Sequence, residues 1–311
     1  MTRPLRIGTR GSPLALWQAR YVQQRLGGPD AAELVLIETE GDRVRDRALS
    51  AIGGLGLFTK EIQQALLEER VDVAVHSLKD LPTIPVPGLQ LVAVPERGPT
   101  GDALISRRFG RFEELPAQAR LATSSLRRRA QLLHRRPDLR IDNLRGNIDT
   151  RLRKLDEQDF DAILLAEAGL RRLGLEEHLT EILDPAWMLP AVGQGALGLE
   201  CRVGDETTRS AVAALNDTAT WHAVLAERTF LAALGGGCLV PIAALGRVEG
   251  PTLHLHGAVL SVDGRQRLAG EVSGPVETAP ALGQQLAELL LQQGALALLQ
   301  RPAPEPTAAQ V

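Results

Sequence analysis

The sequence predicts an α/β protein that carries a smaller C-terminal domain of different character. Up to about residue 215, short apolar runs that are typical of buried strands alternate with stretches of helical periodicity. From about Asp217 onward, apolar and polar residues alternate, which indicates an antiparallel sheet with one face in water. A dense group of arginines between Thr123 and Lys154 indicates where this fold meets a ligand.

Composition limits the class of protein. The chain has 311 residues and a formal net charge of −3, whereas a general nucleic-acid-binding protein would be basic over a whole domain, so we expect no nucleic acid partner. No apolar run reaches the length of a membrane span and no signal region precedes the first strand, so we also expect no membrane partner. Two cysteines give neither a disulfide framework nor a metal ligand set, so we expect no metal and a reducing, cytoplasmic location.

The first elements place a cation ahead of a helix start. Leu5–Gly8 is predicted to be a strand, and Ser12 is predicted to cap the helix that follows, with Pro13 suited to its first position. Arg10 lies just before this helix, at the end where free N–H groups attract anions. We therefore group Arg10 with the arginines described below.

The next segment contains a strand, a loop and a helix. Leu34–Thr39 is continuously apolar, which is typical of a strand in a sheet buried on both faces. The stretch Asp42–Gly56 is rich in glycine and charge and has little periodicity, so we predict a mobile loop that covers a site. Periodic apolar residues then mark a helix, namely Phe58, Ile62, Ala65 and Leu66.

Polar residues follow the predicted strand Val71–His76 at its carboxyl end. In open α/β sheets, ligands bind beyond this end of the strands, so Ser77, Lys79 and Asp80 lie where chemistry is expected. An aspartate that follows a strand is commonly only a turn residue. Beside Lys79, a catalytic role and a turn role are equal alternatives for Asp80.

A second α/β domain is predicted between two connecting segments. The strand Leu89–Val94 leads into a crossover at residues 95–100, and Asp102–Ser106 opens the second domain. Another buried strand of this domain is Phe160–Ala166. A glycine-punctuated turn at residues 192–195 leads into a strand that returns to the first domain.

The stretch Thr123–Lys154 holds ten arginine or lysine residues against three aspartates. Ser124 or Ser125 can cap one helix in it, and Asn147 can cap another. The first turns of these helices then contain four arginines, Arg127, Arg128, Arg129 and Arg151. The helix dipole disfavours each such cation by about 0.3–1 kcal/mol, and an anion on the same helix end would reverse the sign.

There are three alternative explanations for these arginines. A solvated basic face is the common explanation for an arginine run. Two helix starts in tandem, with Arg145 in the turn between them, favour a binding site for a polyanion instead. RNA binding would require aromatic residues for base stacking, and Thr123–Lys154 contains none. We therefore expect a focused anion-binding pocket.

The C-terminal domain is predicted to combine helices with a small antiparallel sheet. The apolar face of its first helix is predicted from Trp221, Val224, Leu225, Leu231 and Ala232. Apolar residues that alternate with polar ones mark strands at Leu253, Leu255, Val259, Leu268 and Val272. A covering helix is indicated by Leu282, Leu286, Leu289 and Leu290.

The two cysteines lie in different surroundings. Cys201 falls in the predicted returning strand and is expected to be part of the buried core. Cys238 follows three glycines, which leave its sulfur accessible on a loop. A nucleophile or covalent attachment point and a plain loop thiol are alternatives for Cys238.

Motifs in a fixed order between about residues 5 and 245 point to a known family. They are TRGSPLALWQA, GLFTKEIQQALLE, DVAVHSLKDLPT, TSSLRRRAQL, LRGNIDTRLRKL, AEAGLRRLG, LPAVGQGALGLECR and GGGCLVPIAA. Through them the chain resembles the porphobilinogen deaminase family, also called hydroxymethylbilane synthases. HSLKDLP, SSLRR with LRGN, and GGGC followed by V-P-I make this resemblance very specific, while the C-terminal sheet and tail are only weakly marked.

The resemblance implies two α/β lobes like those of type II periplasmic binding proteins, plus a small C-terminal α+β domain with an antiparallel sheet. One lobe would span residues 1–95 and 196–214 and the other 96–195, followed by the C-terminal domain at 215–302 and a disordered tail at 303–311. The family joins four porphobilinogen units head to tail, releasing ammonia each time, and frees hydroxymethylbilane by hydrolysis for tetrapyrrole and heme biosynthesis. Nothing in the sequence demands more than a monomer.

The resemblance also implies roles for the motif residues. Cys238 matches the cysteine that holds a covalent dipyrromethane cofactor through a thioether. Asp80 matches the catalytic aspartate, which steers the proton for amine departure and then stabilises the cationic azafulvene. Every pyrrole brings an acetate and a propionate, and the matching ligands for these groups are Arg10, Ser12, Arg127, Arg128, Arg145, Arg151 and Arg172. Residues that match hydroxyl or backbone support for the cofactor are Thr123, Ser125 and Gly195.

One position departs from the family pattern. Many members have a lysine in GGKGLF, whereas this chain has Leu55 in GGLGLF, so we do not expect a cationic contact from that position. Lys60 matches the second lysine of the region and is expected to bind substrate or cofactor, as are Ser77 and Lys79. A non-catalytic anion-binding module, which the two-lobed fold serves elsewhere, is the rival interpretation, and it predicts no covalent adduct.

Overall fold

The computed structural model describes residues 3–43, 56–236 and 240–299. Most of the predicted loop Asp42–Gly56, the Cys238 position and the predicted tail at 303–311 lie outside these residues. The described residues form three β-sheets, two of mixed direction and one antiparallel, with helices packed against them. None of the helices formed by this part of the chain is long and apolar enough to cross a lipid bilayer.

Strands and helices alternate through most of the described chain, as the sequence predicts for an α/β fold. The strands are β1 (Leu5–Thr9), β2 (Ala32–Leu36), β3 (Val73–Ser77), β4 (Leu89–Ala93), β5 (Asp102–Ile105), β6 (Arg120–Ala122), β7 (Arg140–Asp142), β8 (Ala162–Ala166), β9 (Glu181–Ile182), β10 (Leu197–Arg202), β11 (Ile242–Glu249), β12 (Thr252–Leu260) and β13 (Arg267–Pro275). The helices are α1 (Pro13–Arg25), α2 (Glu40–Arg43), α3 (Lys60–Leu67), α4 (Leu126–Arg135), α5 (Ile148–Glu157), α6 (Glu167–Arg172), α7 (Glu206–Ala213), α8 (Thr218–Ala233), α9 (Ala279–Gln292) and α10 (Ala295–Leu299).

The first sheet, with its helices, forms what we call the first lobe and has the strand order β2-β1-β3-β10-β4. β1 pairs in parallel with β2 and β3, whereas β10 runs antiparallel between β3 and β4. β10 joins this sheet only after the chain has built the second sheet, as predicted for the strand after residues 192–195. Because Leu197 pairs with Ser77, the segment that precedes β10 lies beside the turn that follows β3.

The second sheet forms the second lobe and has the order β7-β6-β8-β5-β9. β6 pairs in parallel with β7 and β8, whereas β5 runs antiparallel between β8 and β9. In both sheets, therefore, the one antiparallel strand belongs to the chain as it arrives from the other lobe, and the strand order is the same. This is the arrangement of type II periplasmic-binding-protein lobes, so the predicted fold class is confirmed.

The third sheet, β11-β12-β13, is antiparallel throughout and forms the C-terminal unit together with α8, α9 and α10. Phe230 and Leu286 are fully buried against this sheet at Gly257, where a Cβ atom would lie 2.7 and 2.8 Å from their side chains. On the other side, Ala258 and Leu260 pack against Ala130 of α4. The C-terminal unit thus rests on the same helix that carries the first arginine cluster.

Two local predictions are wrong. The apolar run from Leu34 was expected inside a sheet buried on both faces, but β2 lies at a sheet edge with one neighbour and leaves Leu36 62% exposed. On α8, Ala232 is exposed and Glu227 is fully buried, contrary to the predicted apolar face. The helix packs on both β11 and α9, and an arginine partner described below compensates the buried carboxylate.

Candidate active site

The turn that carries Asp80 is held by the first lobe and by the strand that returns to it. β3 ends at Ser77, and Leu78–Asp80 form one turn of 3-10 helix. Gln18 of α1 donates a hydrogen bond to the Ser77 hydroxyl at 2.8 Å, and the Leu78 N–H donates to the Ala196 carbonyl at 3.0 Å. Leu78 is buried, while Lys79 and Asp80 are partly exposed at the predicted carboxyl end of the strand.

Contacts from outside the first lobe also fix this turn. Arg228 of α8 donates hydrogen bonds to the carbonyls of Leu81 at 2.9 Å and Pro82 at 2.8 Å. Gly193, with φ of +71°, lies so close that a Cβ atom there would be 3.2 Å from the Lys79 nitrogen. The turn therefore has a defined position relative to the returning connection and to the C-terminal unit.

The two connections between the lobes touch at Gly195. The Gly98 N–H donates to the Gly195 carbonyl at 3.1 Å, and Arg172 donates to the same carbonyl at 2.6 Å. Gly195 has φ of +84°, and a Cβ atom there would lie 2.5 Å from the Gly98 oxygen, so only glycine fits. The Arg172 guanidinium also lies 5.4 Å from the centroid of the Trp17 ring, which connects α6 to α1 across the lobe interface.

The first-turn arginines of α4 meet an aspartate that the sequence did not single out. Arg127 Nη1 and Nη2 donate to the two carboxylate oxygens of Asp102 at 2.6 and 3.1 Å, and Arg128 Nε donates to one of them at 2.9 Å. Gln194, in the returning connection, donates to the same carboxylate at 3.0 Å. All of these side chains are buried.

Asp102 is the anion that the cationic helix start requires. Burial alone would raise the pKa of Asp102, but the neighbouring Arg127 and Arg128 guanidinium groups hold it well below its usual range. The carboxylate therefore stays charged and compensates two cations that the helix dipole disfavours. Arg128 donates a further hydrogen bond to the Leu164 carbonyl at 3.0 Å, which fixes its guanidinium plane.

The remaining cations of the second lobe lie in the electrostatic neighbourhood of Asp80. Burial, together with Arg128 and Arg145, lowers the pKa of Arg151 to about 10, while Asp80 opposes this shift. Burial also lowers the pKa of Lys79 to about 8, against the opposing charges of Asp80 and Asp102. Asp80 of the first lobe thus interacts electrostatically with one cation from each lobe, Lys79 and Arg151.

Arg145 differs from Arg127 and Arg128 because it has no ion pair among the described residues. Its Nη2 is buried without a hydrogen-bond partner in the described part of the chain, and burial lowers its pKa. Arg127 Nε and Gln194 Oε1 are likewise buried without partners there. A ligand with carboxylates and pyrrole N–H groups offers acceptors to the guanidinium nitrogens and a donor to the amide oxygen, so these residues fit a dipyrromethane.

The other expected binding residues have local roles in the structure. Ser12 and Ser125 accept hydrogen bonds from the first turns of α1 and α4 at 3.3 and 3.4 Å, as predicted for N-caps. Thr123 is buried and accepts from the Ser125 N–H at 3.3 Å. Arg10 lies over the Phe58 ring, 4.2 Å from its centroid, and Lys60 is exposed at the first position of α3. Asn147 precedes α5 as predicted, but its side chain makes no capping bond.

Of the two cysteines, Cys201 lies in the described part of the chain and Cys238 does not. Cys201 is fully buried in β10, and burial raises the pKa of its thiol to about 11, so it is chemically inert at neutral pH. Cys238 lies outside the described residues, between the segment that follows α8 and the start of β11.

Sequence reasoning missed two buried carboxylates that organise the site. Asp102 begins an ordinary apolar strand, and no local pattern marks it as the partner of arginines 25 and 26 positions later. Glu227 gives a weak signal, because it interrupts the apolar face of α8 between Val224 and Phe230. Its carboxylate accepts hydrogen bonds from Arg97 at 2.6 and 3.0 Å.

Fold and site together define a two-lobed anion-binding protein with an aspartate facing the cations. Comparison with known proteins identifies the family to which it belongs. The family model described as porphobilinogen deaminase, dipyromethane cofactor binding domain, matches residues 5–210, and the model of the porphobilinogen deaminase C-terminal domain matches residues 221–292. The chain belongs to the porphobilinogen deaminase family, the transferases also called hydroxymethylbilane synthases. It condenses porphobilinogen and works with a dipyrromethane cofactor.

Curated relatives agree along nearly the whole chain. The porphobilinogen deaminase of Pelobacter propionicus is 50% identical over 96% of this chain and 97% of its own length. That of Syntrophotalea carbinolica is 52% identical over 94% of this chain and 93% of its own. Among solved structures, a periplasmic substrate-binding protein of an ABC transporter from Coxiella burnetii is 15% identical, with a TM-score of 0.43 over 70% of this chain and 94% of its own.

We predict that Asp102→Asn lowers the free energy of unfolding by about 3–5 kcal/mol, because it leaves two buried guanidinium groups without a counter-charge. The measurement is urea unfolding at neutral pH. Asp156→Asn is the matched control, since Asp156 forms a surface pair with Arg107 and is 52% exposed; we expect a change within about 1 kcal/mol. Equal effects of the two substitutions would contradict the role assigned to Asp102.

Proposed function

We propose that Asp80 is the single catalytic carboxylate of this enzyme and serves each condensation in turn. The observation that carries this proposal is that Asp80, at the end of β3 in the first lobe, interacts electrostatically with Arg151 of the second lobe, which is also influenced by Arg128 and Arg145. A porphobilinogen molecule has an amine at one end and two carboxylates on its ring. The acid and the cations are complementary to these two ends.

Asp80 has two tasks in this proposal. Its carboxylate receives the substrate amine and steers a proton to the nitrogen that departs as ammonia. It then stabilises the positive charge that develops on the pyrrole, since a fixed anion beside the reacting group lowers the energy of the transition state. The turn at Leu78–Asp80 is suited to this because hydrogen bonds and close packing fix it from three sides.

The cations take the carboxylates of the substrate and of the bound pyrroles. Arg145 and Arg151 are the groups of this neighbourhood for which no carboxylate in the described residues makes a direct ion pair that would compete. Charge-assisted hydrogen bonds are worth about 1.5–3 kcal/mol each, which is enough to hold successive rings in register. The same role is proposed, by the match to the family, for Arg10, Ser12, Lys60, Ser77, Arg127, Arg128 and Arg172.

We propose that Cys238 attaches the dipyrromethane cofactor through a thioether. When bound, this cofactor supplies the pyrrole carbon to which the first substrate is joined. Thr123, Ser125 and Gly195 are proposed to support it, together with the polar atoms of Arg127 and Gln194 that have no partner among the described residues. The contrast with Cys201 supports this choice, because a thiol with a raised pKa in the core is a poor nucleophile.

The domain division and the setting of the enzyme are also proposals. The two lobes would comprise residues 1–95 with 196–214 and residues 96–195, and the third domain residues 215–302. Each boundary falls at a connection that leads from one of the three sheets to another. We further propose a cytoplasmic monomer without nucleic acid or membrane partners, in keeping with the charge and cysteine content of the chain.

We predict that Asp80→Asn lowers kcat by about 10²–10⁴-fold while the free energy of unfolding and the cofactor content stay unchanged. Steady-state turnover of cofactor-loaded protein measures the effect. Asp159→Asn removes the same charge from an 85% exposed side chain and should leave kcat unchanged. An Asp80→Asn enzyme with a near-normal rate would remove Asp80 from the mechanism.

We predict that the intact protein has a mass excess equal to one dipyrromethane and that Cys238→Ser abolishes it. Cys201→Ala is the matched control and should keep the adduct, because Cys201 is buried in β10. Intact-mass spectrometry decides the matter. An active protein of unmodified mass would refute the thioether, and a non-catalytic anion-binding module would show neither adduct nor turnover.

We predict that KM for porphobilinogen rises as the pH increases through about 8. Lys79 loses its proton in this range, so the group of cations that binds the substrate carboxylates loses one positive charge. The stability of the fold increases over the same pH range. Just above pH 8 the unfolded chain still binds this proton while the folded protein has released it, so the free energy of unfolding increases as the pH rises. Lys79→Arg should flatten the rise in KM, and identical pH profiles for the two proteins would contradict the assignment.

A further inference from the structure

A cavity whose lining does not include Asp80 lies between the second lobe and the C-terminal unit. Its volume is about 320 Å³, near the lower end of the range for small-molecule sites. It is bounded by the last turns of α4, the segment just before Met188 and the start of β13. The lining residues are Gln131, His134, Arg135, Ala186, Trp187 and Arg267.

The charges that line this cavity are all of one sign. Two guanidinium groups and an imidazole line it, and none of the lining residues is acidic. Arg267 makes no ion pair among the described residues, its Nε is buried without a hydrogen-bond partner there, and burial lowers its pKa. Among the described residues, the one ion pair of Arg135 is with Glu113 at 3.8 Å, and both side chains are more than half exposed. An anion in the cavity would give both arginines a partner.

The cavity also presents a rigid aromatic surface. Trp187 packs against Phe112, with ring centroids 5.0 Å apart, and Phe112 is almost fully buried. The Arg135 guanidinium lies 5.8 Å from the Trp187 centroid. His134 is fixed by a hydrogen bond of 2.9 Å between its Nδ1 and the Gly264 carbonyl. A flat ring that stacks on Trp187 would therefore bring its charged substituents next to Arg135.

We propose that this cavity binds a small planar anion, namely an aromatic or heteroaromatic ring that carries one or two carboxylates and no amino group. The ring follows from Trp187 and the carboxylates from the guanidinium forks of Arg135 and Arg267, which match carboxylate geometry. The volume is too small to enclose a linear chain of four pyrroles. Because no lining residue is acidic, a ligand with an ammonium group finds no counter-charge here, so the lining does not match porphobilinogen.

The test is a titration of the cofactor-loaded enzyme with benzene-1,3-dicarboxylate, followed by tryptophan fluorescence and calorimetry. We expect saturable binding whose fluorescence change disappears in Trp187→Phe. Arg267→Gln and Arg135→Gln should each weaken this binding about tenfold or more, since each removes a charge-assisted contact. Arg265→Gln is the matched control, because Arg265 lies on the same hairpin, is 87% exposed and does not line the cavity.

The cationic catalytic cleft can also bind dicarboxylates, so the dependence on Arg267 and Trp187 separates the two sites. None of these variants should change kcat or KM for porphobilinogen. The neutral benzene-1,3-dicarboxamide and the amine-bearing 5-(aminomethyl)benzene-1,3-dicarboxylate should bind at least tenfold more weakly. Unchanged affinity in both Arg267→Gln and Arg135→Gln, or equal binding of the dicarboxamide, would overturn the anion site. Equal binding of the aminomethyl compound would overturn the restriction to amine-free ligands.

Discussion

One buried carboxylate, that of Glu227, joins the three parts of this molecule. It accepts two hydrogen bonds from Arg97 in the outgoing connection, one from the Gly193 N–H in the returning connection at 2.7 Å, and one from the Gly246 N–H in β11 at 2.8 Å. A buried charge with four good donors is stable, whereas removal of one partner of such a pair costs about 3–5 kcal/mol. Both lobe connections are therefore tied to the C-terminal unit at one point. The next residue, Arg228, binds the turn that carries Asp80, so a single helix sets the position of the acid and of the connections.

The same principle of charge compensation explains how the second lobe keeps so many cations in a folded structure. Arg127 and Arg128 are buried at a helix start that disfavours them, and Asp102 neutralises this cost with hydrogen bonds to both. Gln194 adds a bond from the returning connection to the same carboxylate. The cluster consequently links the arginine helix to the segment that contains Gly195. A displacement of that connection would change the hydrogen bonding of the two arginines, because Gln194 and the arginines donate to the same Asp102 carboxylate.

Much of the fold and part of the site could be predicted from the sequence because the signals are local. Ser12 and Ser125 cap their helices, the chain passes between the lobes just before β5 and just before β10, and Asp80 lies at the end of β3 as expected. The features that could not be predicted depend on contacts between residues that are far apart in the sequence. The apolar run at Leu34 cannot reveal that β2 has only one neighbour, and the sequence of β5 cannot reveal that Asp102 meets Arg127. Glu227 was hidden for the same reason, since its burial is explained only by Arg97, 130 positions earlier.

The pairing of Arg127 and Arg128 with Asp102 changes how the arginine stretch should be understood. The sequence argument required an external anion at the α4 start, and the protein itself supplies one. A ligand carboxylate must therefore share these guanidinium groups with Asp102 or use other cations. Arg145 has a buried nitrogen without a partner in the described chain, and burial, together with the nearby Arg128 and Arg145, lowers the pKa of Arg151. Uncompensated charge is thus concentrated one helix later than the densest arginine run, on the side of the second lobe that faces Asp80. The α4 arginines fix the architecture of the anion site, and the cations around α5 hold the surplus charge that attracts a carboxylate.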